Sequence, residues 1–313
     1  MEFAISAALG DEVSDPSEEA FWLLSQSIPS QDLGFVDPRA AEISFSVADR
    51  DLTIQQSPAL LSSDRKQGTT GAVVWKVTPL VAEWAASPER LLFRLGALGP
   101  AKTVLELGCG VAGVLGLALA PSVGKYVATD QNYVLRLLRE NIALNNGDEE
   151  ASTTTTNKHQ HRHGKGNTKK EAGHHREWKP SRGTGNFGTI EVIPLDWETD
   201  DVSFFTDIGC SSSKGVDVLI ACDCIYNESL VEPFVTTCRD ICRLRSNQVH
   251  DNESSEEPTL CVVASQIRSW EVMDAFLVEF HRWFRLWRVP DRQLPESLQE
   301  NSGFSVHVGI LRR

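Results

Sequence analysis

Apolar and polar residues alternate in two short segments near position 50, Ile43-Ser44-Phe45-Ser46-Val47 and Leu52-Thr53-Ile54-Gln55, with Asp49-Arg50-Asp51 between them. A period of two is the strand period, so the pair predicts a β-hairpin. After the turn-forming Gly68-Thr69-Thr70-Gly71, residues 72–75 lead to a helix expected over 79–86, where Pro79 suits a first helical turn. From position 103 the pattern changes to short apolar runs separated by helical stretches. Strands are predicted at 103–107, 126–129, 190–193, 216–221 and 260–264. Helices are predicted at 113–119, 134–145, 230–244 and 269–280, the last opened by a capping serine, Ser269. Leu135, Leu138, Ile142 and Asn145 stand at helical spacing in the second of these. Strands buried on both faces and separated by helices pair in parallel. Segments 284–287 and 304–308 close the chain as two strands that read as an antiparallel edge. The fold class is therefore α/β: a Rossmann-like open sheet of about seven strands with an antiparallel last strand, preceded by the N-terminal β-hairpin extension.

Composition sharpens the domain picture. A chain of 313 residues, 41% hydrophobic and 23% charged, can bury one large core. Residues 1–40 are acidic and turn-rich with one short apolar run, Phe21-Trp22-Leu23-Leu24, and read as a peripheral extension to a domain spanning 41–313. That domain is interrupted over 147–188 by a polar low-complexity stretch with Thr153 to Thr156, several glycines, Lys165, Lys169 and Lys170. It holds too little apolar surface to offset the entropy of ordering, so a disordered loop is expected. Its histidines His159, His161, His163, His174 and His175 read as part of a solvated insertion, and no functional metal is expected. Seven cysteines (Cys109, Cys210, Cys222, Cys224, Cys238, Cys242 and Cys261) show neither a disulfide framework nor zinc-site spacing. Reduced thiols in the cytoplasm are the better reading, with the nucleus open. No apolar run approaches the roughly 18 residues of a membrane span, and Met1-Glu2-Phe3 opens no basic leader. The net charge of −13 argues against nucleic-acid binding and fits either solubility alone or a basic protein partner. A monomer is expected.

Candidate chemistry gathers at strand ends. Glu106-Leu107-Gly108-Cys109-Gly110, followed by Gly113, places a glycine turn where a strand gives way to a helix, a common nucleotide site. Glu106 could meet a cationic amino group. Asp130, ending the next strand, could accept from ribose hydroxyls or merely cap a helix. In Leu195-Asp196-Trp197 the indole could flank an adenine or pack in the core, and the acid could accept from the adenine amino group. Cys222-Asp223-Cys224-Ile225-Tyr226-Asn227 follows the most apolar strand. There Asp223 could hold an incoming ammonium and Tyr226 orient it, or Asp223 could simply cap the next helix.

In this order the elements resemble the seven-β-strand lysine methyltransferases, often called family 16. Gly71-Ala72-Val73-Val74-Trp75-Lys76-Val77-Thr78-Pro79-Leu80 is similar to that family's upstream Gly-x-x-x-Trp segment. The W-K-V-T-P-L wording and the long insertion most resemble fungal members that modify the large-subunit ribosomal protein uL1. The resemblance implies S-adenosylmethionine as cofactor, with contacts from Trp75, Gly108, Cys109, Gly110, Asp130, Trp197 and Cys222. It also implies that Asp223 and Tyr226 shape a lysine channel and that the partner is a basic ribosomal protein. Two positions depart from the pattern: Ala112 replaces a loop glycine, and Cys222 stands where relatives usually carry Ala. Other readings are another protein-lysine target, such as a translation factor or chaperone, or a non-catalytic cofactor-binding module. Nucleic-acid amine methylation often uses an Asn/Asp-Pro-Pro-aromatic turn, and Asp223-Cys224-Ile225-Tyr226 has no Pro. A nicotinamide oxidoreductase lacks support, since no Tyr-x-x-x-Lys pair or paired catalytic His and Asp stands out.

Overall fold

The computed structural model describes residues 2–29, 32–63, 68–147, 188–209, 215–246 and 257–312. The interior of the expected 147–188 insertion, with its five histidines, and Cys210 lie outside the described residues.

The chain opens with helices α1 (Glu2–Leu9) and α2 (Pro16–Leu24). The hairpin strands β1 (Glu42–Val47) and β2 (Arg50–Gln55) follow, then the single turn α3 (Pro58–Leu61), α4 (Val77–Ala86) and the single turn α5 (Leu91–Arg94). Five strands and four helices follow: β3 (Thr103–Leu107), α6 (Val114–Leu119), β4 (Lys125–Asp130), α7 (Asn132–Asn146), β5 (Ile190–Pro194), β6 (Val218–Cys222), α8 (Val231–Ser246), β7 (Leu260–Gln266) and α9 (Trp270–Trp283). Strands β8 (Phe284–Arg288) and β9 (Phe304–Leu311) end the chain.

The sheet has seven strands in the order β5-β4-β3-β6-β7-β9-β8. Pairing is parallel from β5 to β7, and β9 is antiparallel to both β7 and β8. Consecutive β3-strand side chains serve opposite faces: Val104 joins the apolar cluster shared with α4, α6 and α7, and Leu105 and Leu107 join the one shared with α8 and α9. The order runs outward from β3 to β5, then restarts on the other side at β6. Leu107 is therefore paired with Ala221 where the two directions part, and a crevice opens beyond those carboxyl ends.

Two expectations are corrected. The hairpin turn is Ala48-Asp49, with Val47 facing Arg50, so Arg50 and Asp51 belong to β2. Both turn residues take positive φ (51° and 59°), the two-residue geometry whose twist matches that of the strands. The first 40 residues are also more than a peripheral tail. Ile5 and Leu9 of α1 are buried in one core cluster, Ala20 and Leu23 of α2 in the other. Asp15 caps α2 by accepting from the Ser17 and Glu18 amides at 2.9 and 3.1 Å.

Candidate active site

Beyond the ends of β3, β4 and β6 lies a cavity of about 380 Å³. Its lining includes Trp75, Glu106, Gly108, Cys109, Gly110, Asp130, Trp197, Cys222, Asp223 and Tyr226, so the candidate site residues meet at one pocket, with Gly113 of the glycine turn outside its lining. Its size suits a ligand of nucleoside dimensions.

The glycine loop explains one half. Gly108 and Gly110 hold φ of 68° and 62°, and a Cβ on Gly108 would lie 2.6 Å from Cys224 Sγ. Only glycine lets the backbone pass there. The Gly110 amide donates to Asp130 Oδ2 at 2.8 Å and the Gln131 amide to Oδ1 at 2.7 Å. Asp130 is thus no distant helix cap. Each of its oxygens spends one lone pair on a backbone amide and keeps another that a ligand hydroxyl could use. Burial lifts its pKa to about 6 against the pull of those two amides. Ala112, the departure from the glycine pattern, is buried beside the pocket, and Gly113 takes the left-handed position that caps α6.

Glu106 lies on the pocket floor, 1% exposed, and accepts from Tyr126 Oη at 2.7 Å. Burial drives its pKa up to about 8, partly countered by the Tyr126 bond and reinforced by the Asp130 charge. A cation placed beside it would reverse that shift. Trp197 lines the pocket and packs edge-on against Phe234 at 5.1 Å. Asp196 also lines the pocket and accepts from Gln131 Nε2 at 3.2 Å. Trp75 is fixed by donating from Nε1 to the Thr70 carbonyl at 3.0 Å. Burial pushes the Cys109, Cys222 and Cys224 thiols well up, which keeps them neutral. Paired glycines, a carboxylate with spare lone pairs, an indole and a buried acid together fit an adenosyl group bearing an amino-acid tail.

The other half is built around Asp223, just past β6. Its backbone is left-handed (φ 58°), its amide donates to the Ala264 carbonyl at 2.8 Å, and its side chain is 1% exposed. A buried carboxylate needs partners. Arg268 supplies them as a fork, Nη1 to Oδ1 at 2.8 Å and Nη2 to Oδ2 at 2.5 Å, and the Gln266 amide adds a third bond at 3.2 Å. The sequence reading missed Arg268. Its only signal was position, two residues beyond β7, whose end borders the crevice. Tyr226 is half-buried, accepts from Thr70 Oγ1 at 3.2 Å, and has its pKa raised by burial. Asp223 therefore offers an ion pair already made, not a bare anion.

Residues 54–164 match the model of a family described as lysine methyltransferase. The chain is 26% identical to "Ribosomal lysine N-methyltransferase 5" of Lachancea thermotolerans, over 79% of this chain and 81% of that protein. It is 27% identical to the protein of the same name from Vanderwaltozyma polyspora, over 93% and 94%. A Schizosaccharomyces pombe protein named "Diaminohydroxyphosphoribosylamino-pyrimidine deaminase" is 24% identical over 88% of this chain. The chain spans about half of that protein's length, 53%. The matched segment, residues 54–164, carries Trp75, the glycine loop and Asp130 of the pocket.

Proposed function

We propose that the chain transfers a methyl group to a lysine ε-amine of a basic ribosomal protein of the uL1 kind. The observation that carries this is the junction of two halves in one cavity: the glycine loop with Asp130 on one side, Asp223 and Tyr226 on the other. The names of the fungal relatives and the net charge of −13 support a basic ribosomal target.

When bound, S-adenosylmethionine supplies a sulfonium methyl open to in-line displacement. The residues of the chain orient, exclude water and select the protonation state. Asp130 and the 108–110 loop would hold the adenosyl part, and Glu106 the amino group of its tail. The acceptor nitrogen needs its lone pair, so lysine must react as the neutral amine. Tyr226 Oη, which takes one hydrogen bond from Thr70, keeps a second lone pair for an amine N–H. The Asp223–Arg268 pair presents little net charge, so the channel does not trap an ammonium ion.

The test is incubation with methyl-labelled cofactor and ribosomal proteins from a strain lacking the enzyme, followed by mass spectrometry of the labelled band. Label on one lysine-containing peptide is expected. Label on nucleic acid, or none, overturns the reading.

A further inference from the structure

Asp32, Leu33, Gly34, Phe35 and Val36 form a strap packed on Trp75, which lines the cavity. Val36 N–H donates to the Val74 carbonyl at 3.0 Å, Lys76 N–H to the Gly34 carbonyl at 2.8 Å, and Phe35 packs on the Trp75 ring at 4.4 Å. Arg268 joins this strap to Asp223. Its Nη2 donates to the Leu33 carbonyl at 3.1 Å as well as to Asp223 Oδ2, and its guanidinium lies over Trp75, 5.1 Å from the ring centre. Gln266 repeats the link, Nε2 donating to the Asp32 carbonyl at 3.1 Å and its amide to Asp223 Oδ1. Asp223 is thus oriented from segments far away in sequence.

We propose that Arg268, clamped between the 32–36 strap and the Trp75 ring, is a positioning residue that fixes Asp223 for methyl transfer. This rests on the lysine-methylation reading above. A planar fork holds a carboxylate in one plane, which a lysine at the same place does not. Without it, Asp223 would be free to turn toward the acceptor and bind it as an ammonium ion, the unreactive form. The strap and Arg268 lie outside the cavity lining and reach it through Asp223 and Trp75.

The experiment compares the full chain with Arg268→Ala, Arg268→Lys and Gly34→Ala, using labelled cofactor and the ribosomal protein fraction. S-adenosylhomocysteine affinity by calorimetry and the thermal midpoint serve as readouts besides activity. A misplacement of this kind is expected to lower kcat of Arg268→Ala about 100-fold, with product affinity kept within about twofold. Arg268→Lys should recover roughly tenfold of that loss. Gly34→Ala is the variant that leaves both charges in place. Its φ is 85°, and a Cβ there would fall 1.8 Å from Gln266 Oε1 and 2.7 Å from Arg268 Nη2, so kcat should fall with KM little changed. Wild-type label with unchanged kcat in Arg268→Ala overturns this inference alone. So does a loss accounted for by unfolded protein in both Arg268→Ala and Gly34→Ala, or a rise in KM with kcat intact. No label from the wild-type chain overturns this inference and the lysine reading together.

Discussion

Two carboxylates in the pocket are buried with different partners. Glu106 has a phenol as partner and its pKa climbs to about 8, whereas Asp223 has a guanidinium fork. The sign for Glu106 follows from proton counting. Between 4.5, its ordinary value, and about 8 the folded chain retains a proton that the unfolded chain has released. Its stability contribution is therefore complete below 4.5 and lost as pH rises to about 8. Asp130 adds the same trend between 3.8 and about 6. The thermal midpoint of the ligand-free chain should fall as pH rises through these windows. Glu106→Gln, which keeps the acceptor for Tyr126, should flatten the part above about 6, and scanning calorimetry across pH checks this. Asp223→Ala should lower transfer about 100-fold, since orientation is its contribution, while S-adenosylhomocysteine affinity stays within about twofold. Normal methylation by that variant would remove Asp223 from the mechanism.

At the scale of elements, the hairpin is tied to the sheet domain by two asparagines of α7. Asn145 accepts from the Thr53 amide and donates to the Thr53 carbonyl, both at 2.9 Å. Asn141 does the same for Gln55 at 2.8 and 2.9 Å, and donates also to the Val111 carbonyl at 2.7 Å. These side chains pair with the open edge of β2 as a strand would, and Asn141 reaches the residue that ends the glycine loop. Asn141 is fully buried, so Asn141→Ala leaves several backbone groups without partners. It should cost about 3 kcal/mol in a urea unfolding experiment. Asn145→Ala, at a half-buried site, should cost about 1 kcal/mol. Equal costs would show that the Val111 link adds nothing.

For the molecule as a whole, the core extends to the amino terminus, because α1 and α2 place side chains in the clusters on either face of the sheet. No helix among the described residues is long and apolar enough to cross a membrane. Charge acts at this scale too. With a net charge of −13, encounter with a basic protein is assisted over about a Debye length, roughly 10 Å at moderate salt. Raising ionic strength should therefore lower kcat/KM for a basic protein substrate several-fold, while cofactor affinity, set inside a buried pocket, changes little. A salt-independent kcat/KM would argue that the acidity serves solubility alone.

The glycine loop, Asp130, Trp197 and the Asp223–Tyr226 turn were legible from residue order, because each stands at the end of a short apolar run. Parallel strands bring such ends to one edge of the sheet. Periodicity likewise located β3 to β9, most sharply β3, β6 and β7, whose burial on both faces leaves a continuous apolar signature. The Ala48-Asp49 turn was missed because side-chain alternation does not show where the backbone reverses, and twist decided it. The two N-terminal helices were missed because short amphipathic segments declare themselves only against a partner surface. Arg268 lies 45 residues beyond Asp223 and pairs with it only because β7 lies beside β6. Local pattern determined which groups line the pocket. Sheet order, a matter of contacts distant in sequence, decided which of them are already paired and so what each can do.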